Sequence, residues 1–150
     1  SPTNKNLMID AAKLCKQNGI PYFFDPGQMV HTFSKQELEL LISHCEGLFT
    51  NEYEMSLLTK NLGVDKKMLY KNIKLVVETL GENGSIISFQ NELHRITALP
   101  VKTNDPTGCG DVYRAAFLTE IQSEFPAMTQ STIKRAGDRA SQLASMILKK

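Results

Sequence analysis

Cysteine is scarce: Cys15, Cys45 and Cys109 are the only three in 150 residues, an odd number with no CxxC spacing. That speaks against a disulfide framework and against a thiolate zinc site, and points to a reducing cytoplasm. Charge of either sign is not in excess. The chain carries 17 Lys+Arg against 16 Asp+Glu, a net +1, and so lacks the basic field that non-specific nucleic-acid binding needs. Long apolar runs are missing too. Leu75 to Val77 and Met146 to Leu148 are among the longest and fall far short of the ~20 residues that cross a bilayer, so no membrane span is expected. Ser1 to Asp10 has no apolar core of a signal peptide. Linkers, low-complexity stretches and internal repeats are absent as well. One domain is therefore the economical expectation, long enough to bury roughly 68–70% of its unfolded surface.

What is present alternates between helical and strand patterns. Leu7, Ile9, Ala11, Ala12, Leu14 and Cys15 are spaced for one helix face, and Asn18-Gly19 supplies the stop. Ile20 to Phe24 is expected to be a buried strand, ended by the turn residues Asp25-Pro26-Gly27. Ser34 and Glu37 have capping-box spacing ahead of Leu38, Leu41, Ile42 and Cys45. Gly47 to Thr50 is a second short apolar segment. Asn51 to Leu62 is helical in pattern with Gly63 as its stop, and a further helix is expected over Lys66 to Asn72. Ile73 to Thr79 is rich in strand formers, and Gly81-Glu82-Asn83-Gly84 turns it into an antiparallel partner, Ser85 to Gln90. Asn91-Glu92 is the next expected turn, followed by the extended His94 to Val101. Val112 to Ile121 is helical in pattern. A last helix starts at Thr129 or Ser131, with Ile133, Ala136, Ala140, Leu143, Ala144, Ile147 and Leu148 on its apolar face.

Helices alternating with short, nearly continuous apolar strands predict an α/β layer fold with a mainly parallel sheet and antiparallel edge strands. Parallel strands need crossover helices flanked by strands. This sequence opens on such a helix and ends at Lys149-Lys150 without a turn, as a portion of something longer would.

Chemistry concentrates in Asp105-Pro106-Thr107-Gly108-Cys109-Gly110-Asp111, between an extended segment and a helix. Glycines let backbone N–H groups converge, and the following helix aims its unpaired amides and positive dipole end at the same spot. Such a nest takes a phosphate. The acid at Asp111 would repel that phosphate unless it has another task, such as accepting the proton of a hydroxyl that attacks phosphorus. Capping the helix is the alternative role for Asp111. No Gly-Lys-Ser/Thr follows a glycine run and the third glycine of the dinucleotide fingerprint is missing, which disfavours a Walker A loop and a dinucleotide-binding domain. His31, His44 and His94 have no metal-ligand spacing and are expected to be surface or hydrogen-bonded histidines. Asp25 stands where α/β sheets place ligands, but Asp-Pro-Gly is equally a turn.

Asp105 to Leu118 resembles the C-terminal signature of the ribokinase-like (PfkB) carbohydrate kinase family, which includes adenosine and other nucleoside kinases. Asn51-Glu52-Tyr53-Glu54 is similar to the family's Asn-x-x-Glu motif, and Thr79 to Gly84 to its Thr-x-Gly-x-x-Gly strand and turn. The resemblance runs over the whole chain and over the C-terminal half of the family's usual domain. It implies a ribokinase-like α/β/α three-layer fold whose N-terminal part lies outside these residues, so that they alone are expected to show little kinase activity.

For the residues, the resemblance implies that Asp111 is the catalytic base and that the amides of Gly108, Cys109 and Gly110 form an anion hole for the transferring phosphoryl group. Asn51 and Glu54 would hold Mg²⁺ and phosphate through water. Thr79 and Gly81 would line the ATP site, and Asp105 with the Thr107 carbonyl matches positions that bind a monovalent cation such as K⁺ in some members. The departure is Cys109, where many members have alanine or another small residue. A helix N-terminus is expected to lower its thiol pKa and make it oxidation-sensitive, but no base is paired with it for catalysis. The implied partner is a small sugar or nucleoside, with the Asp-Pro-Thr-Gly-Cys-Gly-Asp form and Asp25 to Gln28 leaning toward bacterial adenosine kinase-like members. Assembly, a homodimer included, is left open. The rival expectations are a nucleotide-binding module of the same fold without catalysis and a binding-only Rossmann-like domain.

Overall fold

The computed structural model describes residues 5–100 and 108–147, which divide into two compact units between Val77 and Glu78. In the first unit, helix α1 (Lys5–Gln17) buries Ile9 and Ala12, whereas Leu7 and Leu14 are 62% and 59% exposed. The expected single face is therefore two faces. At 3.6 residues per turn, Leu7 lies about 160° around the helix from Ile9 and close to Leu14. The chain leaves α1 at Gly19, φ +64, and strand β1 is only Phe23–Phe24. Ile20, expected to start that strand, is 53% exposed and its amide instead donates to Cys15 O at 2.8 Å.

Asp25 acts as a turn residue, its Oδ1 accepting from Gly27 N at 2.8 Å as the chain enters a 3₁₀ turn, Gly27–Thr32. Helix α2 (Lys35–Ile42) opens with the expected capping box. Ser34 Oγ accepts from Glu37 N at 3.3 Å, and Ser34 N donates to Glu37 Oε2 at 2.7 Å. Strand β2 (Gly47–Asn51) returns parallel to β1, with Phe23 opposite Gly47 and Phe24 opposite Leu48. It runs directly into α3 (Glu52–Leu62), which stops at Gly63, φ +71. Helix α4 (Lys66–Asn72) follows, capped by Asp65. Strand β3 (Leu75–Thr79) then lies beside β2, giving the order β1-β2-β3. Phe24, Val30, Leu38, Leu41, Leu48, Met55, Leu58 and Val76 are buried at the centre.

The second unit takes up the last residues of β3, passes a 3₁₀ turn (Gly81–Asn83) and forms a hairpin of β4 (Ser85–Phe89) and β5 (Glu92–Ile96). Its register runs from Ser85 opposite Ile96 to Phe89 opposite Glu92. The turn falls one residue before the expected position. Gln90 (φ +50) and Asn91 (φ +69) are the two left-handed residues that a tight hairpin with right-handed strand twist requires. Helices α5 (Cys109–Gln122) and α6 (Gln130–Ile147) pack on each other, and α6 also packs on β4 and β5.

That last contact is close, and it decides which side chains α6 buries. A Cβ at Gly137 would come within 2.6 Å of Ile87 Cδ1 and 2.7 Å of Ile96 Cγ1. Along α6, Thr132, Ile133, Ala136, Gly137, Ala140, Ser141, Ala144 and Ser145 are buried, while Ile147, expected on the apolar face, is 42% exposed. Leu148 lies outside the described residues. The start of α6 is tied to the hairpin through Gln130. Its Nε2 donates to Phe89 O at 3.2 Å, which leaves Oε1 as the acceptor for His94 Nε2 at 2.7 Å. His94 is thus a hydrogen-bonded structural histidine.

Candidate functional site

Gly108 to Asp111, the described part of the glycine-rich segment, form the N-cap and first residues of α5. Gly108 is its N-cap residue at φ +80, a torsion that favours glycine, and no side chain caps the helix there. The first intrahelical bond is Val112 N to Gly108 O at 3.1 Å. The amides before Val112 have no partner within the helix, as at any uncapped N-terminus. Among the described residues, a Cβ at Gly108 or at Gly110 would meet nothing within 4 Å. Open space, unpaired amides and the positive helix end coincide at one place, which is the chemistry of an anion site.

Asp111 follows in the same turn with its side chain 76% exposed. Its Oδ1 accepts from Arg114 Nη2 at 2.6 Å, one helical turn on, and among the described residues it bonds no backbone amide. The capping alternative for Asp111 is not what the geometry displays. Arg114 was not singled out from the sequence, although opposite charges at i and i+3 are a readable helix signal. Cys109 differs from expectation. Its Sγ turns inward, 3.9 Å from Ala144 O, and burial pushes the thiol pKa up instead of the helix end pulling it down. A desolvated thiol is less reactive, so the expected oxidation sensitivity loses its basis. Asp105 and Thr107, the monovalent-cation candidates, lie outside the described residues.

Thr79 is half-buried at the end of β3, and Gly81 (φ +57) opens the 3₁₀ turn that follows. That turn is closed on itself by Leu80 N to Gly84 O at 2.8 Å and Gly84 N to Gly81 O at 3.1 Å. Nearby in the same unit, the buried Ser85 Oγ and Tyr113 OH are 2.6 Å apart, joining β4 to α5. Desolvation raises the Tyr113 pKa to about 12. The phenol stays protonated at neutral pH and serves as a hydrogen-bonding strut.

In the first unit, Asn51 and Glu54 close a capping box on α3. Asn51 Oδ1 accepts from Glu54 N at 2.8 Å, and Asn51 N donates to Glu54 Oε2 at 2.9 Å. The Asn-x-x-Glu spacing is the same signal as Ser34 and Glu37, and it fixes both side chains at the C-terminal end of β2. Glu54 is 9% exposed, and Oε1 remains outside the box. Among the described residues no group of three or more His, Cys, Asp or Glu side chains is arranged as a metal site. A buried carboxylate oriented by its own helix, with one oxygen to spare, suits a Mg²⁺ that keeps its water shell.

The chain is an α/β protein with a parallel β1-α2-β2 crossover, an antiparallel hairpin and a helix that opens on glycine. Residues 1–150 match the pfkB family carbohydrate kinase profile, and the chain belongs to that family. It is 36% identical over 126 residues to a nucleoside kinase of Methanothermobacter thermautotrophicus, which covers 83% of this chain and 38% of the relative. Identity to a ribokinase of Lactococcus lactis is 34% over 116 residues, 77% of this chain and 36% of the relative. Among solved structures, a Burkholderia thailandensis nucleoside kinase in complex with ADP-inosine superposes with a TM-score of 0.85 at 26% identity, over 95% of this chain and 43% of that one. The fold is accordingly ribokinase-like, and the chain spans less than half the length of these relatives.

Proposed function

We propose that the protein is an ATP- and Mg²⁺-dependent phosphotransferase that moves the γ-phosphoryl group of ATP to an alcohol of a nucleoside, with sugars as the competing acceptor class. The observation that carries this is the start of α5: an uncapped, glycine-flanked helix end with an exposed carboxylate in its first turn. A phosphate cradle by itself would bind. A cradle with an acid beside it can also accept a proton. Asp111 takes the proton of the acceptor hydroxyl as its oxygen bonds to the γ-phosphorus and the bond from that phosphorus to ADP breaks. The amides of Gly108, Cys109 and Gly110 donate to the phosphoryl oxygens, where charge is spread in the transition state.

ATP supplies the transferred group, and Mg²⁺ neutralises charge on its phosphates. Glu54 and Asn51 would hold the ion through water, Thr79 and Gly81 would flank the nucleotide, and Asp105 with the Thr107 carbonyl would take a monovalent cation such as K⁺. The nucleoside preference is supported by the nucleoside kinase relative and by the ADP-inosine complex of the Burkholderia protein.

The test is ATP consumption by the full-length protein against a panel of nucleosides and sugars. Turnover with nucleosides above that with ribose or fructose is expected, and an absence of acceptor-stimulated ATP consumption refutes the proposal. The Mg²⁺ role has its own check. Glu54→Gln keeps an oxygen to accept from Asn51 N and removes only the charge, so α3 should stay capped. The Mg²⁺ concentration for half-maximal rate should rise about 10-fold or more. An unchanged Mg²⁺ titration removes Glu54 from the metal site.

A further inference from the structure

Asp111 and Arg114 form an ion pair at i, i+3 on α5. With Asp111 76% and Arg114 35% exposed on their side chains, it is of the solvent-screened kind that adds little to stability. Yet it engages the one carboxylate read above as the base, at 2.6 Å. We propose that Arg114 is a positioning residue for phosphoryl transfer: by binding Oδ1 it fixes the rotation of the Asp111 carboxylate and leaves Oδ2 to take the acceptor's proton. The proposal rests on Asp111 acting as base.

Four features support it. The terminal torsion of an aspartate is broad, so an exposed carboxylate without a fixed partner samples many orientations and is rarely aligned with a hydroxyl. Arg114 is the less exposed of the two, its side chain 35% exposed against 76% for Asp111. An arginine in this place also cannot compete for the proton, since a guanidinium has five donors and no acceptor. A histidine here would take the proton it is meant to direct. The i, i+3 spacing on one helix keeps anchor and base in register.

The experiment compares Arg114→Met, Arg114→Gln and Arg114→Lys with Asp111→Asn in the full-length protein, reading kcat, the KM for ATP and thermal stability. Arg114→Met and Arg114→Gln are expected to lower kcat about 10- to 100-fold, with the KM for ATP within about threefold of wild type and an unchanged melting temperature. Arg114→Lys, which keeps a cationic donor on a stem of similar length, should recover most of that loss. A purely structural role would instead move stability and leave the kcat split flat. Wild-type kcat in Arg114→Gln beside an inactive Asp111→Asn overturns the positioning role and leaves the base intact. Wild-type kcat in Asp111→Asn overturns the base itself. A loss confined to the KM for ATP, or one that lysine does not relieve, also overturns the proposal. The Gln and Lys variants are both polar, so the comparison stands even if the Met variant is poorly soluble.

Discussion

Asp111→Asn is expected to lower kcat by about 10²- to 10⁴-fold in the full-length protein while leaving ATP binding nearly intact. Asparagine preserves the shape and the acceptor oxygen, and so preserves contact with Arg114, but it cannot take up a proton at neutral pH. Stability should hardly change, because the side chain is 76% exposed and its ion pair is screened by solvent. ATP should still bind. The cradle amides belong to the backbone of Gly108, Cys109 and Gly110, and removing a negative charge beside a phosphate site does not weaken it. Steady-state kinetics and a nucleotide-binding titration on the same preparation separate the two effects. Wild-type turnover in this variant would refute the base; lost ATP binding would place Asp111 in the nucleotide site.

Gly84→Ala should produce the largest loss of stability, about 3 kcal/mol or more. Two terms add. Gly84 sits at φ +86, where an L side chain is strained, and its added Cβ would lie 1.9 Å from Ile96 O and 2.8 Å from Ala98 N. Those are backbone atoms, Ile96 at the end of β5 and paired with Ser85 and Ala98 just beyond it, so no side-chain rotation relieves the clash. Gly81→Ala is the built-in control. Gly81 also has positive φ, +57, but a Cβ there meets nothing within 4 Å. Only the torsional term applies, roughly 1–2 kcal/mol. A thermal melt of the two variants should show a drop on the order of 10 °C for Gly84→Ala and clearly less for Gly81→Ala. Equal shifts would mean that torsion, and not the approach of β5, makes Gly84 necessary. Because Gly84 closes the turn that follows Thr79, its loss should also weaken ATP binding.

Much of the local structure was legible because its causes are local. The capping box at Ser34 and Glu37 and the stop at Gly63 follow from residues within four positions of one another, whereas α5 starts at Cys109, three residues ahead of the expected Val112. The same signal at Asn51 and Glu54 was read as ligand chemistry alone. The structure adds that these side chains first close on each other, which presents one Glu54 oxygen outward and occupies the other. Arg114 was equally readable at i+3 from Asp111. It escaped notice because a charge pair on a helix is ordinarily a solvated face.

The sequence by itself determined the alternation of helix and strand, the family, and the order of the motifs that would cradle and transfer a phosphoryl group. Periodicity, capping and turn torsions are set by near neighbours and survive in the linear order. Only the tertiary structure decided which of the two apolar faces of α1 is buried, that of Ile9 and not that of Leu7 and Leu14, and that α6 comes close to Ile87 and Ile96 at Gly137. It alone separated Gly84, crowded by Ile96, from Gly81, which looks identical in the motif. It also turned Cys109 inward toward Ala144 and raised its pKa. Close approach and desolvation are imposed by residues distant along the chain, so no local pattern encodes them.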